Sequence, residues 1–97
     1  MTVARLYRMM AAEGKEQAMV EALTALADVV RPVAGCLGVT LLRDAKTPGS
    51  CLFIEKWESV ELHKAGAAGL PKGTFSPVMA TLAGPPEAGY LDYLIDG

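Results

Sequence analysis

The chain has 97 residues, 52% of them hydrophobic and 21% charged, with a formal net charge of −2. A chain of that size makes one domain over residues 1–97, and its acidic balance leaves no basic patch to displace counterions from phosphates, which excludes nucleic acid. It offers no polybasic segment for a membrane surface either, and no apolar run approaches the roughly 20 residues of a spanning helix.

Thr2 to Met10 alternates Val3, Arg5, Tyr7 and Met9 against Ala4, Leu6, Arg8 and Met10, a strand apolar on both faces and so covered on both. Arg5, Arg8 and Glu13 interrupt the N-terminus, which therefore lacks the core of a signal peptide, and a cytoplasmic location is expected. After a turn at Ala11 to Gly14, Lys15 to about Arg31 reads as a helix. Ala18, Ala22, Leu26, Val29 and Val33 form its apolar stripe, with Met19, Leu23 and Val30 beside them. Pro32 and Gly35 end it.

Cys36 to Arg43 is a second strand. Asp44 to Ser50 is a turn by composition, with Pro48-Gly49 setting the reversal, and Cys51 to Glu58 is the third strand. Paired across that hairpin, Cys36 falls opposite about Ser59. The two cysteines are then about eight residues, on the order of 26 Å, apart along the ladder, too far for a disulfide. Ser59 caps a short helix that carries Leu62 and His63 and degrades at Gly66, Gly69 and Pro71. Gly66 to Gly69 lacks phosphate-loop context and reads as a mobile lid. A helix restarts at Gly73 or Thr74 and runs to Gly84, Pro85-Pro86 breaks it, and Gly89 to Ile95 is the last strand.

The order is β-α-β-β-α-β, an α+β ferredoxin-like sandwich with helices on one sheet face. The other face is also apolar. Burial against a second copy is the natural remedy, so a homodimer closing a dimeric α+β barrel is expected.

Four features resemble the antibiotic biosynthesis monooxygenase-like domain of the dimeric α+β barrel superfamily. They are the first strand, the long helix ending in Gly35-Cys36-Leu37-Gly38, the Arg43-Asp44 turn with its Pro-Gly, and Phe53-x-Glu55-x-Trp57-Glu58-Ser59-x-Glu61. The resemblance covers nearly the whole chain. It implies a homodimer with a pocket between sheet and helices in each subunit. It also implies oxidation of hydroxylated aromatic or quinone-like molecules by oxygen with no metal, flavin or other cofactor.

Trp57, the only tryptophan, is the residue carried over from that motif, as a wall for an apolar or aromatic small molecule. Glu55 shares its strand parity, so a carboxylate beside an indole in a dry site is a candidate base. His63, the only histidine, lies six residues beyond Trp57 and has a side chain suited to proton transfer near neutrality. Tyr7 is a candidate for polarising a phenolate, and Arg43 and Lys56 are candidate cations for the substrate. The catalytic set is thus His63, Glu55 and Tyr7, with Trp57, Arg43 and Lys56 binding substrate.

The chain departs from the family in having no asparagine, where the oxygenases place one on the strand shortly before the tryptophan. A histidine that many members carry later in the following helix is replaced by Gly66 or Ala67. Thr74 to Ala83 has neither the Asn nor the His of the haem-degrading branch, and no Cys/His set suits zinc. A non-catalytic dimeric domain that holds a small molecule, or serves in stress, is the alternative expectation.

Overall fold

The computed structural model describes residues 1–97. Seven elements follow one another: β1 (Val3–Met10), α1 (Glu16–Val30), β2 (Cys36–Arg43), β3 (Ser50–Trp57), α2 (Val60–Ala68), α3 (Ser76–Met79) and β4 (Glu87–Asp92). The strands form one antiparallel sheet in the order β2-β3-β1-β4, the ferredoxin-like arrangement.

Strand parity divides the sheet into two unlike faces. Val3, Arg5, Tyr7 and Met9 face the helices, level with Trp57, Glu55, Phe53 and Cys51 of β3. Against them α1 lays Met19, Leu23, Leu26, Ala27 and Val30, and Val78 of α3 completes the core. The buried stripe of α1 is therefore rotated from the expected one: Ala18 is exposed and Val29 is 42% exposed. Met19, Leu23, Leu26 and Val30 are spaced i, i+4, i+7, i+11 and bring more apolar area to the sheet than the alanines beside them.

Three boundaries differ from those read from the sequence. The helix after Ser59 continues through Gly66 to Ala68, with the Ser59 side chain accepting from the Leu62 N–H at 3.1 Å. A Cβ at Gly66 would lie 2.7 Å from Val33 Cγ1 and 2.9 Å from Trp57 Cη2. The glycine is thus where the helix approaches the indole, in a packed contact rather than a lid. The helix expected to reach Gly84 shrinks to Ser76–Met79, because the chain beyond it pairs with the end of β1. Ala12 N–H donates to Thr81 O and Ala83 N–H to Met10 O.

The last strand starts at Glu87 and stops at Asp92, opposite Val3, where β1 runs out of partners. Tyr93 to Ile95 leave the sheet, and Leu94 and Ile95 are more than nine-tenths exposed.

In the β2–β3 ladder Cys36 pairs with Trp57 and Arg43 with Cys51, and a bulge between Cys36 and Gly38 absorbs Leu37. The register is two residues shorter than the hairpin count, which puts the thiols roughly 20 Å apart along the ladder. Both are free.

The opposite sheet face is uncovered. Leu6, Leu52 and Ile54 are half-buried at its centre, and Met10, Leu42 and Leu91 are each about half exposed around them. Lys56 stands at one end of this face, paired with Asp96 and lying 5.0 Å from the centre of the Tyr93 ring. No helix is long and apolar enough to cross a membrane.

Candidate functional site

The helix-side face of the sheet is built in rows. Tyr7, Phe53, Leu41 and Ala88 form one row, and Arg5, Glu55, Val39 and Tyr90 form the next, about 6.6 Å along the strands. The first row floors an apolar cavity of about 160 Å³ under α1 and α3, lined by Tyr7, Met9, Phe53, Phe75, Val78 and Met79 among others. A cavity of roughly 150 Å³ admits a benzene ring, so one aromatic ring fits here and the open side leaves room for a fused remainder.

The second row is polar. Trp57 Nε1 donates to Glu55 Oε1 at 2.9 Å, and His63 Nε2 lies 3.7 Å from the same oxygen. The other imidazole nitrogen, Nδ1, lies 2.6 Å from the Tyr90 hydroxyl. Edge-on ring contacts hold the imidazole between Trp57 at 5.4 Å and Tyr90 at 5.3 Å. The Arg5 guanidinium carbon lies 4.6 Å from the Tyr90 ring centre and 5.0 Å from that of Tyr7, and its Nε is buried without a partner. The space that Glu55, Trp57, His63 and Gly66 enclose is only about 10 Å³, and Tyr7 and Phe75 border both it and the apolar cavity.

Burial shifts the pKa of three groups at the site. Glu55 is 2% exposed, and loss of solvent raises its pKa above the ordinary 4.5, partly offset by the Trp57 hydrogen bond and the charge of Arg5. His63 is 6% exposed, and burial, then Arg5 and Lys64, lower its pKa below 6.5. Tyr7 is raised, chiefly by burial.

The raised Glu55 pKa favours the folded state below about pH 4.5, and that contribution is lost as pH rises through the folded value. The lowered His63 pKa acts in the other sense, present above 6.5 and lost as pH falls through its folded value. Glu55→Gln removes the first contribution. Urea midpoints taken at about pH 4 and about pH 8 should show the wild type losing stability relative to the variant as pH rises. A gap that widens in favour of the wild type would contradict a proton-favouring site.

Four of the six sequence candidates, His63, Glu55, Tyr7 and Trp57, lie together here. Arg43 and Lys56 do not. Arg43 is exposed at the far end of β2 opposite Cys51, beside Arg8, Asp44 and Ser50. Lys56 has the opposite parity to Trp57 and points to the uncovered face. Arg5 is the cation that lies beside this row, and its strand parity with Tyr7 was the available signal. Tyr90 could be placed against His63 only once β4 was known to pair with β1. No three His, Cys, Asp or Glu side chains gather as a metal site would require.

Among solved structures the chain is similar to a Bordetella bronchiseptica protein described as a candidate antibiotic biosynthesis monooxygenase, at 18% identity and TM-score 0.86, over 97% of this chain and 98% of that one. A Mycobacterium tuberculosis protein, Rv0793, matches at 22% identity and TM-score 0.83 over 99% and 98%. SnoaB, a cofactor-independent oxygenase from Streptomyces nogalater solved as an asparagine-to-alanine variant, matches at 17% identity and TM-score 0.83 over 98% and 95%. No curated protein matches the sequence. The antibiotic biosynthesis monooxygenase family profile matches residues 2–65, and the chain belongs to that family.

Proposed function

We propose that the protein is a cytoplasmic, homodimeric, cofactor-independent monooxygenase that oxidises a hydroxylated aromatic or quinone-like small molecule. One observation carries this reading: an apolar cavity sized for an aromatic ring ends on Tyr7, directly before a row holding a buried carboxylate, an imidazole and a guanidinium. A substrate whose ring fills the cavity and whose remainder extends past Tyr7 brings an acidic C–H or O–H toward that row. His63, Glu55 and Tyr7 form the proton-handling group, Trp57 holds Glu55, and Arg5 stabilises the anion that forms.

The resulting carbanion passes an electron to molecular oxygen. The radical pair combines to a hydroperoxide, and loss of water leaves a carbonyl. One oxygen atom enters the product and the other leaves as water, with all four electrons that reduce the oxygen molecule supplied by the substrate carbon. The oxygenase description of the SnoaB neighbour supports this class of chemistry, and two unpaired thiols suit a reducing compartment.

The second reading, a dimeric binding or stress-associated module without turnover, is favoured by the absence of any asparagine and by an indole N–H already committed to Glu55. Oxygen uptake with a panel of hydroxyaromatics, including anthrone, separates the two. Uptake matched by quinone formation, falling at least about 100-fold in His63→Ala, supports the oxygenase. Saturable quenching of Trp57 fluorescence with no uptake supports the binding module.

A further inference from the structure

We propose that Tyr90, rather than His63, is the group that takes the proton from the substrate, with His63 and Glu55 as a relay behind it. This rests on the oxygenase reading and deepens it by naming the reacting atom.

His63 is boxed in. It is 6% exposed, one ring nitrogen is engaged by the Tyr90 hydroxyl, the other faces Glu55, and Trp57 and Tyr90 close on its edges. No ring nitrogen is left for a ligand. Glu55 is more deeply buried, with one oxygen shared between Trp57 and His63. Tyr90 is the one member of the chain Trp57–Glu55–His63–Tyr90 that is half-buried rather than buried. It stands on edge strand β4, one row beyond the cavity floor and across from Arg5. Tyr90 lines neither cavity, but Glu55 and His63 border only the roughly 10 Å³ space behind Tyr7 and Phe75, too small for a substrate. A substrate that extends past Tyr7 along the edge of β4 therefore meets Tyr90 first.

The arrangement has the logic of a nucleophile–base–orienter triad with a phenol in the first place. The substrate C–H or O–H bond breaks as its proton goes to the Tyr90 oxygen, and the Tyr90 proton passes to His63 Nδ1. The substrate keeps the electron pair as an anion beside Arg5, and the imidazolium faces Glu55. The same proton returns along this path to the peroxide formed with oxygen, so the relay ends each turnover as it began.

The charged and titratable groups around His63 are Arg5 and Tyr7 on β1, Glu55 on β3, Lys64 on α2 and Tyr90 on β4. Of these only Glu55 stabilises an imidazolium, which makes it a positioning residue for His63.

Two readouts test the relay. Para-nitrophenol, whose anion absorbs in the visible, is titrated into wild type, Tyr90→Phe and Glu55→Gln, with calorimetry in two buffers to count protons released. Anthrone oxidation is followed in parallel. The wild type should bind the probe as its anion while the proton stays on the protein. Tyr90→Phe should bind it within about twofold of the wild-type Kd but in neutral form, and should lower kcat for anthrone at least about 100-fold with KM little changed. In Glu55→Gln the acid limb of the rate profile should move to lower pH, a displacement that a merely structural role would not produce.

Tyr90→Phe that ionises the probe and turns over like wild type overturns the relay and leaves the oxygenase standing. Wild type that ionises the probe through Tyr90 but consumes no oxygen with any aromatic overturns the oxygenase and leaves the relay standing. Failure of the wild type to bind any phenol overturns both.

Discussion

Trp57→Ala should remove about 3–5 kcal/mol of folding stability, the usual cost of truncating a buried indole. For a domain whose total is about 5–15 kcal/mol, that is a large share of its stability. Two losses combine. The indole is 2% exposed and fills the space that Gly66 leaves open between α2 and the sheet, so its removal opens a cavity that helix and sheet cannot close without moving. Its N–H is also the one neutral hydrogen-bond donor to Glu55 Oε1, and without it a buried carboxylate loses a partner.

Trp57→Phe separates the two losses. It keeps most of the apolar area and removes only the donor, for about 1–3 kcal/mol, and it raises the Glu55 pKa further by removing an interaction that lowers it. Urea unfolding followed by circular dichroism gives both numbers. A loss below about 1 kcal/mol in Trp57→Ala would mean that the indole is a replaceable ligand wall rather than part of the core.

The site was legible in the sequence where one strand determined it. Parity along β3 puts Glu55 beside Trp57, and the Ser59 cap fixes where α2 starts and hence that His63 faces back toward the indole. What needed pairing between distant strands was not legible. Tyr90 meets His63 only because β4 joins the far edge of β1, and Arg5 lies level with Glu55 only because β1 pairs with β3. Arg43 and Lys56 show the limit of placing cations by their distance along a strand. One has the right face at the wrong end, and the other the right end on the wrong face. The fold order was readable from hydrophobic period and Gly/Pro punctuation. The last helix was over-extended because residues 80–83 have helical composition yet are claimed by hydrogen bonds to Met10 and Ala12. Tertiary pairing overrode local propensity there.

In the proposed homodimer, Ile54→Lys should separate the two copies without unfolding them. Ile54 lies near the centre of the uncovered face, between Leu6 on β1 and Thr40 on β2, with Leu52 two residues along its own strand on the same side. Within one protomer no helix covers it, so a lysine there can keep its stem against Leu6 and Leu52 and extend its ammonium into water. In a dimer closed by the two sheets the face is self-complementary, so each substitution acts twice. Burying an ammonium, or diverting it, costs about 2–3 kcal/mol per copy, or about 4–6 kcal/mol for the pair. That raises the dimer Kd by about 10³- to 10⁴-fold. Val29→Lys on the outer side of α1, at a position already 42% exposed, is the control and should leave the assembly intact. Sedimentation velocity at micromolar concentration reads both variants against wild type. Monomeric wild type, or Ile54→Lys that remains dimeric with native circular dichroism, would show that the apolar face is not the dimer interface. An intact dimer in Val29→Lys beside a monomer in Ile54→Lys would assign that face to the partner copy.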